Sequence, residues 1–313
     1  MQIGLTFNLK PPGATGDEYE EFDSEETIAA LEAAIASKGH QTVRLGWGAE
    51  MLDRLREVRV DGVFNIAEGR GGRGRESQVP AVLEMLGIPC SGAPPLSIAM
   101  TLDKALAKRV AQAHGIPTPN FDVVERELVE RGRPLPRLSY PLFAKPAAEG
   151  SSMGITATSL CRNEQELAAA VHRLAPYGPV LIEEFLPGDE YTVGIIAGEV
   201  IGAMQVVPRK PAADFIYSLE VKRDYLNQVE YQLADVPDVK KVALDVWRAF
   251  GLRDVSRVDV RRDRNGVPNF IEVNPLPGVH PVNSDLIILG RLLGIRYEDL
   301  IGRVIGSAVE RWT

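Results

Sequence analysis

Along the first hundred residues, short apolar runs alternate with amphipathic stretches. Gln2 to Phe7, Thr42 to Leu45 and Val63 to Ile66 read as strands. Glu25 to Lys38, stopped by Gly39, and Gln78 to Leu86, stopped by Gly87, read as helices. Such βαβ alternation predicts a small parallel sheet with crossover helices. Ligands bind such sheets at the carboxyl ends of the strands, here the loops that begin at Asn8 and Ala67. After Ser91-Gly92-Ala93-Pro94-Pro95 the pattern changes. A helix carrying Asp103, Lys104 and Lys108 leads to strands at Phe121 to Val124, Tyr140 to Pro146, Val180 to Leu186 and Tyr191 to Ile196. Asp238 to Phe250 and Tyr297 to Arg311 close the pattern as helices.

Between those last helices lies the stretch around which the chain is organised. Arg257 to Val260 and Phe270 to Asn274 alternate with period two about Asp263-Arg264-Asn265-Gly266, a strong hairpin signal. Side chains two apart share a face, so Arg257 and Asp259 point one way, and Glu272 and Asn274 can point to the same side. Unpaired carboxylates suit a buried face poorly, yet oxygen donors gathered beside a cation suit Mg²⁺ well. A salt-bridged surface hairpin has the same pattern. The turn Pro275-Leu276-Pro277-Gly278 directly behind the acids favours backbone amides approaching a ligand.

Composition narrows the class. The chain has 313 residues, enough for two or three domains, and a formal charge of −8. There is no basic footprint for nucleic acid, so an anionic ligand needs local Lys and Arg. Two cysteines, Cys90 and Cys161, make neither a disulfide framework nor a metal motif and read as buried thiols. No signal-peptide pattern or membrane span stands out, and a cytoplasmic location is expected.

Three loops hold further candidate chemistry. Asn8 to Asp23 is Pro/Gly-rich and then acidic, a solvated loop or a substrate lid. Glu68 to Glu76 interleaves four glycines with Arg70, Arg73 and Arg75, which either cradle an anion or form a surface turn. Lys145 ends an apolar strand just before Glu149-Gly150-Ser151-Ser152-Met153-Gly154, a pairing that can hold phosphate oxygens. The strand ending at Glu183-Glu184-Phe185-Leu186 could meet an adenine edge, with an acid nearby for ribose.

Taken in order, Asp103-Lys104, Phe143-Ala144-Lys145-Pro146, Glu149 to Ile155, Glu183 to Leu186, Glu190, Lys222, Arg257-Val258-Asp259, Glu272-Val273-Asn274 and Pro277-Gly278 resemble the ATP-grasp superfamily. Within it the chain is similar to D-alanine–D-alanine ligases over nearly its whole length. The resemblance implies a three-domain α/β (in part α+β) fold: an N-terminal parallel domain (1–96), a central lid (97–186) and a metal-bearing C-terminal domain (187–313). It implies an ATP-dependent ligase that joins a carboxylate to an amine through an acyl phosphate. By it, Lys104, Lys145 and Lys222 hold ATP phosphates, Glu183, Glu184, Phe185 and Leu186 contact adenine, and Glu190 the ribose. Asp259, Glu272 and Asn274 bind two Mg²⁺, or Mn²⁺. Arg257, the Gly278 amide, Lys222 and Ser151 act at the reacting centre. A homodimer acting on small molecules, without nucleic acid or membrane, is implied.

Departures fall in the amino-acid half. The family's Gly-Gly-x-Ser-x-Glu after the first strand is Asn8-Leu9-Lys10-Pro11-Pro12 here, with Glu25 or Glu26 as a substitute acid. The family's histidine is Glu68, its acidic Gly-Glu-Asp-Gly is Gly72-Arg73-Gly74-Arg75, and the tyrosine after the closing lysine is Arg223. Val279-His280-Pro281 and Asn283-Ser284 replace the usual Met-Thr and serine. The substrate set expected is thus Glu25, Glu68, Arg70, Arg223, Asn283 and Ser284, with the added arginines suiting an extra carboxylate. D-alanyl-D-alanine is one product among several. Another acid or amine, or a silent nucleotide-binding module, are the other readings.

Overall fold

The computed structural model describes residues 1–14, 16, 19–125, 135–210 and 214–313; part of the acidic loop 8–23 thus lies outside the described residues. β1 (Gln2–Phe7), β2 (Gln41–Arg44) and β3 (Gly62–Ile66) form the expected parallel sheet, in the order β2-β1-β3. The helix Glu25–Ala36 starts where Ser24 accepts a hydrogen bond from the Thr27 amide, 3.2 Å. Its Ile28, Leu31 and Ile35 pack with Ile3 and Leu5 of the sheet.

The second sheet is antiparallel: β4 (Phe121–Val124), β5 (Leu142–Pro146), β6 (Leu160–Cys161) and β7 (Val180–Glu184), in the order β4-β7-β5-β6. Leu167, Ala170, Val171 and Leu174 of the helix Glu164–Leu174 cover it with an apolar face. The third runs β10-β9-β8-β11-β12 and contains the hairpin. It comprises β8 (Glu190–Ile196), β9 (Glu199–Pro208), β10 (Val229–Leu233), β11 (Val255–Arg262) and β12 (Pro268–Asn274). The helices Pro95–Leu102, Lys104–Ala113 and Pro237–Ala249 bury Ile98, Ala107, Val242 and Val246 against its Val193, Val258 and Phe270. Ile196, Val255 and Leu286 pack with the N-terminal sheet. The closing helix Tyr297–Trp312 packs there too.

One local irregularity positions the site. Arg257 pairs with Asn274 and Asp259 with Glu272, but Val260 then pairs with Phe270, so Ile271 is an extra residue in β12. Strict alternation would put Phe270 on the face of Glu272 and Asn274. The bulge turns Phe270 into the core instead, and leaves Ile271 beside Glu272 on a cavity wall.

Cys161 is buried as expected, but Cys90 is only half-buried. No helix among the described residues is long and apolar enough to cross a membrane.

Candidate active site

At the carboxyl end of the parallel sheet, Asn8 joins the two predicted loops. Its Oδ1 accepts from the amides of Glu68 and Gly69, 3.0 and 3.2 Å, and its Nδ2 donates to the Gly69 carbonyl, 3.1 Å. Gly69 has φ +71°, and a Cβ there would collide with the Arg75 carbonyl oxygen, so only glycine fits without strain. The loop thereby folds back and presents Glu68 and Glu76 to a cavity of about 500 Å³.

That cavity is lined by Lys104, Lys222, Arg257, Glu272, Asn274 and Gly278, and by an acidic wall in which Glu21, Glu68 and Glu76 cluster, with Asp23. A second, smaller cavity of about 90 Å³ adjoins the first, sharing Tyr217, Lys222 and Glu272, and is lined by Lys145, Glu183 to Leu186, Glu190, Asp259, Arg261 and Ile271. Phe143 and Phe185 (ring centroids 6.5 Å apart) give it apolar walls, and the Arg261 guanidinium lies 5.0 Å over the Phe185 ring. Arg261 also pairs with Glu190, 3.2 Å. The Glu184 and Phe185 amides are already bonded to the carbonyls of Asn120 and Pro141.

The hairpin face matches its sequence pattern. Arg257 bonds Asp259 and Asp285, both at 3.0 Å, and lies 3.8 Å from Glu272. Burial opposes the guanidinium charge, but Asp259, Asp285 and Glu272 outweigh it and raise the Arg257 pKa. Asp259 also accepts from the Thr192 hydroxyl, 2.8 Å. Burial pushes the Asp259 carboxyl up to about 6. Burial would raise Glu272 as well, yet Lys104, Lys145, Lys222 and Arg257 hold it down at about 2. Glu272 is thus an ionised oxygen donor among Lys104, Lys145, Lys222 and Arg257. The donor set of Asp259, Glu272 and Asn274 is all oxygen, which suits Mg²⁺ rather than a soft metal.

The loop after β5 is held in an unusual shape. Ser151 and Ser152 have φ of 47° and 58°, ahead of Gly154 at 72°. Successive left-handed residues of this kind close a tight turn, in which the Met153 amide bonds the Gly150 carbonyl, 2.9 Å. Lys104 Nζ donates to the Glu149 carbonyl beside it, 2.5 Å, and Ser152 Oγ to the Tyr217 carbonyl, 3.2 Å. Lys145 and Lys108 both pair with the buried Glu183, 2.7 and 2.8 Å.

The expected substrate residues do not all reach the cavity. Glu25 does not stand in for the missing acid, because Ser24 caps the helix there and turns Glu25 outward onto Arg44, 2.5 Å. Glu26 is also exposed, 3.7 Å from His280 Nε2; Glu21 and Asp23 line the cavity instead. Arg70 points into solvent, its amide held by Gln78, 3.1 Å. The other two arginines of the loop offer no free anion site, since Arg73 pairs with Asp103 and Arg75 with Glu21. Glu68, Arg223, Asn283 and Ser284 do line the cavity, with Arg223 paired to Glu20, 2.5 Å. Glu21, Asp23, Glu76, Tyr217, Arg261 and Asp285 went unrecognised. Glu76 was visible at the end of the arginine loop, whose basic residues drew attention from it; Arg261 continues the period-two face of Arg257 and Asp259.

Comparison with known proteins is consistent with this geometry. The D-ala D-ala ligase C-terminus family model matches residues 110–306. D-alanine–D-alanine ligase of Actinobacillus pleuropneumoniae is 34% identical over 281 residues, 88% of this chain and 90% of the relative. The chain belongs to the D-alanine–D-alanine ligase family. It is a ligase of the ATP-grasp superfamily, with the α/β fold expected. The Haemophilus ducreyi ligase is 33% identical over 90% of this chain and 91% of its own length. In fold, the chain is similar to the Bacillus anthracis D-alanine–D-alanine ligase complexed with ATP (TM-score 0.74, 22% identity, covering 100% of this chain and 98% of that one). VanG D-Ala:D-Ser ligase of Enterococcus faecalis has TM-score 0.73 and 22% identity, covering 98% and 99%.

The acidic wall should be visible in stability. Burial and the neighbouring Glu21 push Glu76 up to about 7, against Arg75 and Lys104, and burial does the same to Asp23. Burial raises Glu68 too, with Glu76, Glu21 and Asp23 adding to it. A carboxyl raised on folding contributes stability that is complete below its unfolded pKa and is lost as pH rises through the folded value. From Glu76 alone that loss is on the order of 3 kcal/mol between about pH 4.5 and 7. Urea midpoints of the ligand-free protein are expected to fall from pH 5 to 7.5, and Glu76→Gln to flatten the fall.

Proposed function

We propose that the protein activates a substrate carboxylate with ATP and joins it to an amine. The observation that carries this is the meeting of the two cavities at Lys222 and Glu272, where Lys104, Lys145 and Arg257 also converge on Asp259 and Glu272. The small cavity suits a purine between Phe143, Phe185 and Leu186. With the Glu184 and Phe185 amides already bonded, its polar edge falls to the Leu186 amide and the Glu184 carbonyl, and Glu190 takes the ribose. Lys104, Lys145 and Lys222 then hold the phosphates where the small cavity opens into the large one.

Asp259, Glu272 and Asn274 would hold Mg²⁺, two ions in this reading, which when bound offset charge on the transferring phosphoryl group. Arg257, fixed by Asp259 and Asp285, orients toward the same group and toward the tetrahedral centre, with the Gly278 amide as a second donor. A substrate carboxylate oxygen takes the γ-phosphoryl group from ATP, releasing ADP. An amine then attacks the acyl carbon, phosphate departs with the bonding pair, and one proton is released. No protein nucleophile takes part. Ser151 and Ser152 cover the phosphates, and Arg223, Asn283 and Ser284 border the acceptor end. The boundaries 1–96, 97–186 and 187–313 are proposed for the three domains.

The relatives' names put D-alanine first among substrates to try. Phosphate release from Mg-ATP is expected to need both an amino-acid carboxylate and an amine, and the mass of the product should equal their sum less water. ATP hydrolysis that ignores every added acid and amine would contradict this reading.

A further inference from the structure

The acidic wall of the large cavity holds more carboxyl groups than one amino group requires. Glu21, Glu68 and Glu76 each bring a carboxylate oxygen within 4.8 Å of the others, and Asp23 lines the same wall. Arg75 answers Glu21 at 2.9 Å. Among the described residues, Asp23, Glu68 and Glu76 make no side-chain ion pair. Glu76 is the decisive member: it is 8% exposed, its carboxylate has no hydrogen bond or ion pair among the described residues, and it faces the cavity. Of the cavity's own cations, Lys104 donates to the Glu149 carbonyl, Arg257 lies between Asp259 and Asp285, Arg223 is paired with Glu20, and Lys10 borders the acidic segment next to Asp23.

A buried carboxyl without a partner is held toward its protonated form, and a cation arriving from the cavity lets it ionise. A neutral amino acid brings one ammonium, sufficient for one of the three carboxylates. Two remain. The loop arginines offer no free site for an extra carboxylate on the substrate, because Arg70 faces solvent and Arg73 and Arg75 are paired. Resting on the ligase reading of this site, we propose that one substrate is a basic amino acid whose side-chain ammonium or guanidinium is bound by Glu68 and Glu76. Its α-carboxylate then lies toward Arg257 and the phosphates, and its α-ammonium toward Asp23.

The test compares lysine, ornithine and arginine with alanine and serine, each in both configurations, on the full-length protein. Phosphate release from Mg-ATP is measured with pairs of amino acids, and the thermal shift with single amino acids in the absence of nucleotide. At least one basic amino acid is expected to exceed alanine tenfold or more in kcat/KM and to raise Tm where alanine does not. Glu76→Gln should cut that preference at least tenfold, and Glu68→Gln serves as the second variant if the first lowers Tm by itself. Preference for neutral amino acids, unmoved by either variant, would overturn the proposal. So would tight binding of Mg²⁺, Mn²⁺ or Zn²⁺ without nucleotide, measured by calorimetry and lost in Glu76→Gln, since the wall would then be a metal site. Phosphate release with no pair at all would contradict the ligase reading alone, while the thermal shift would still decide whether basic side chains bind.

Discussion

Glu272→Ala is expected to reduce ATP-dependent phosphate release by about a thousandfold or more while leaving nucleotide binding largely intact. Glu272 faces Asp259 across the β11–β12 ladder, and Lys104, Lys145, Lys222 and Arg257 hold it ionised. Removing it takes away an oxygen donor and leaves Lys104 and Lys222 without that carboxylate, while Arg257 keeps Asp259 and Asp285 and Lys145 keeps Glu183. In the free protein that costs stability, but ATP brings its own negative charge to the same place, so nucleotide affinity should change by less than about tenfold. On the proposed reading, only the transferring phosphoryl group, where charge reorganises, would lose the metal that Glu272 helps to hold. A loss of about 4 kcal/mol of transition-state stabilisation corresponds to roughly three powers of ten in rate. Fluorescent-nucleotide titration and phosphate release measured on the same sample separate the two effects. Unchanged turnover would remove Glu272, and with it the hairpin, from the metal-binding role.

How far the sequence disclosed this site follows from what period-two and turn signals can express. Arg257, Asp259, Glu272 and Asn274 are legible because they alternate on two strands about Asn265-Gly266, and the ladder pairs Arg257 with Asn274 and Asp259 with Glu272. The bulge at Ile271 was not legible, since its cause is tertiary: Phe270 packs on Phe250 with centroids 6.3 Å apart, and its amide bonds the Pro117 carbonyl. The parallel sheet was legible because its strands are short apolar runs between capped helices. β9 and β10 escaped, because β9 mixes Gly202, Gln205 and Pro208 into its apolar positions and β10 is polar and exposed. The charge pairing around the arginine loop is illegible for a different reason. Sequence lists the arginines of the loop and the acids of the loop side by side, but which of them pair is decided by Asp103, Glu21 and Glu149, residues from other segments. Glu76 is left over only after that pairing, and no local pattern contains it.

Glu183→Ala should be among the most destabilising substitutions in the chain. Its carboxylate sits between two buried lysines, Lys145 at 2.7 Å and Lys108 at 2.8 Å. Burial raises its pKa, but the two ammonium groups outweigh burial and lower it. Burial lowers Lys108 to about 8, partly against the pull of Glu183. Burial acts on Lys145 too, but there Glu183 and Glu272 win and raise it. Two cations share one anion, so the group carries a net positive charge next to the phosphate-binding face. Without the carboxylate, Lys145 loses its anchor on β7 and Lys108 keeps only Thr118, 3.0 Å, and the more distant Phe270 carbonyl, 3.5 Å. Breaking such a buried pair costs about 3–5 kcal/mol, and a fall in Tm on the order of 10 °C is expected by calorimetry. Lys108→Met discriminates between lost charge balance and lost packing. It leaves a matched Lys145–Glu183 pair and fills the same apolar stem volume beside Phe270, so it should cost less than about 1.5 kcal/mol. It should also weaken ATP binding only slightly, since Lys145 remains in place. If Lys108→Met were as damaging as Glu183→Ala, the second lysine would be a required part of the phosphate site rather than a buried counter-ion, and its charge would have to act through Glu183 on the nucleotide.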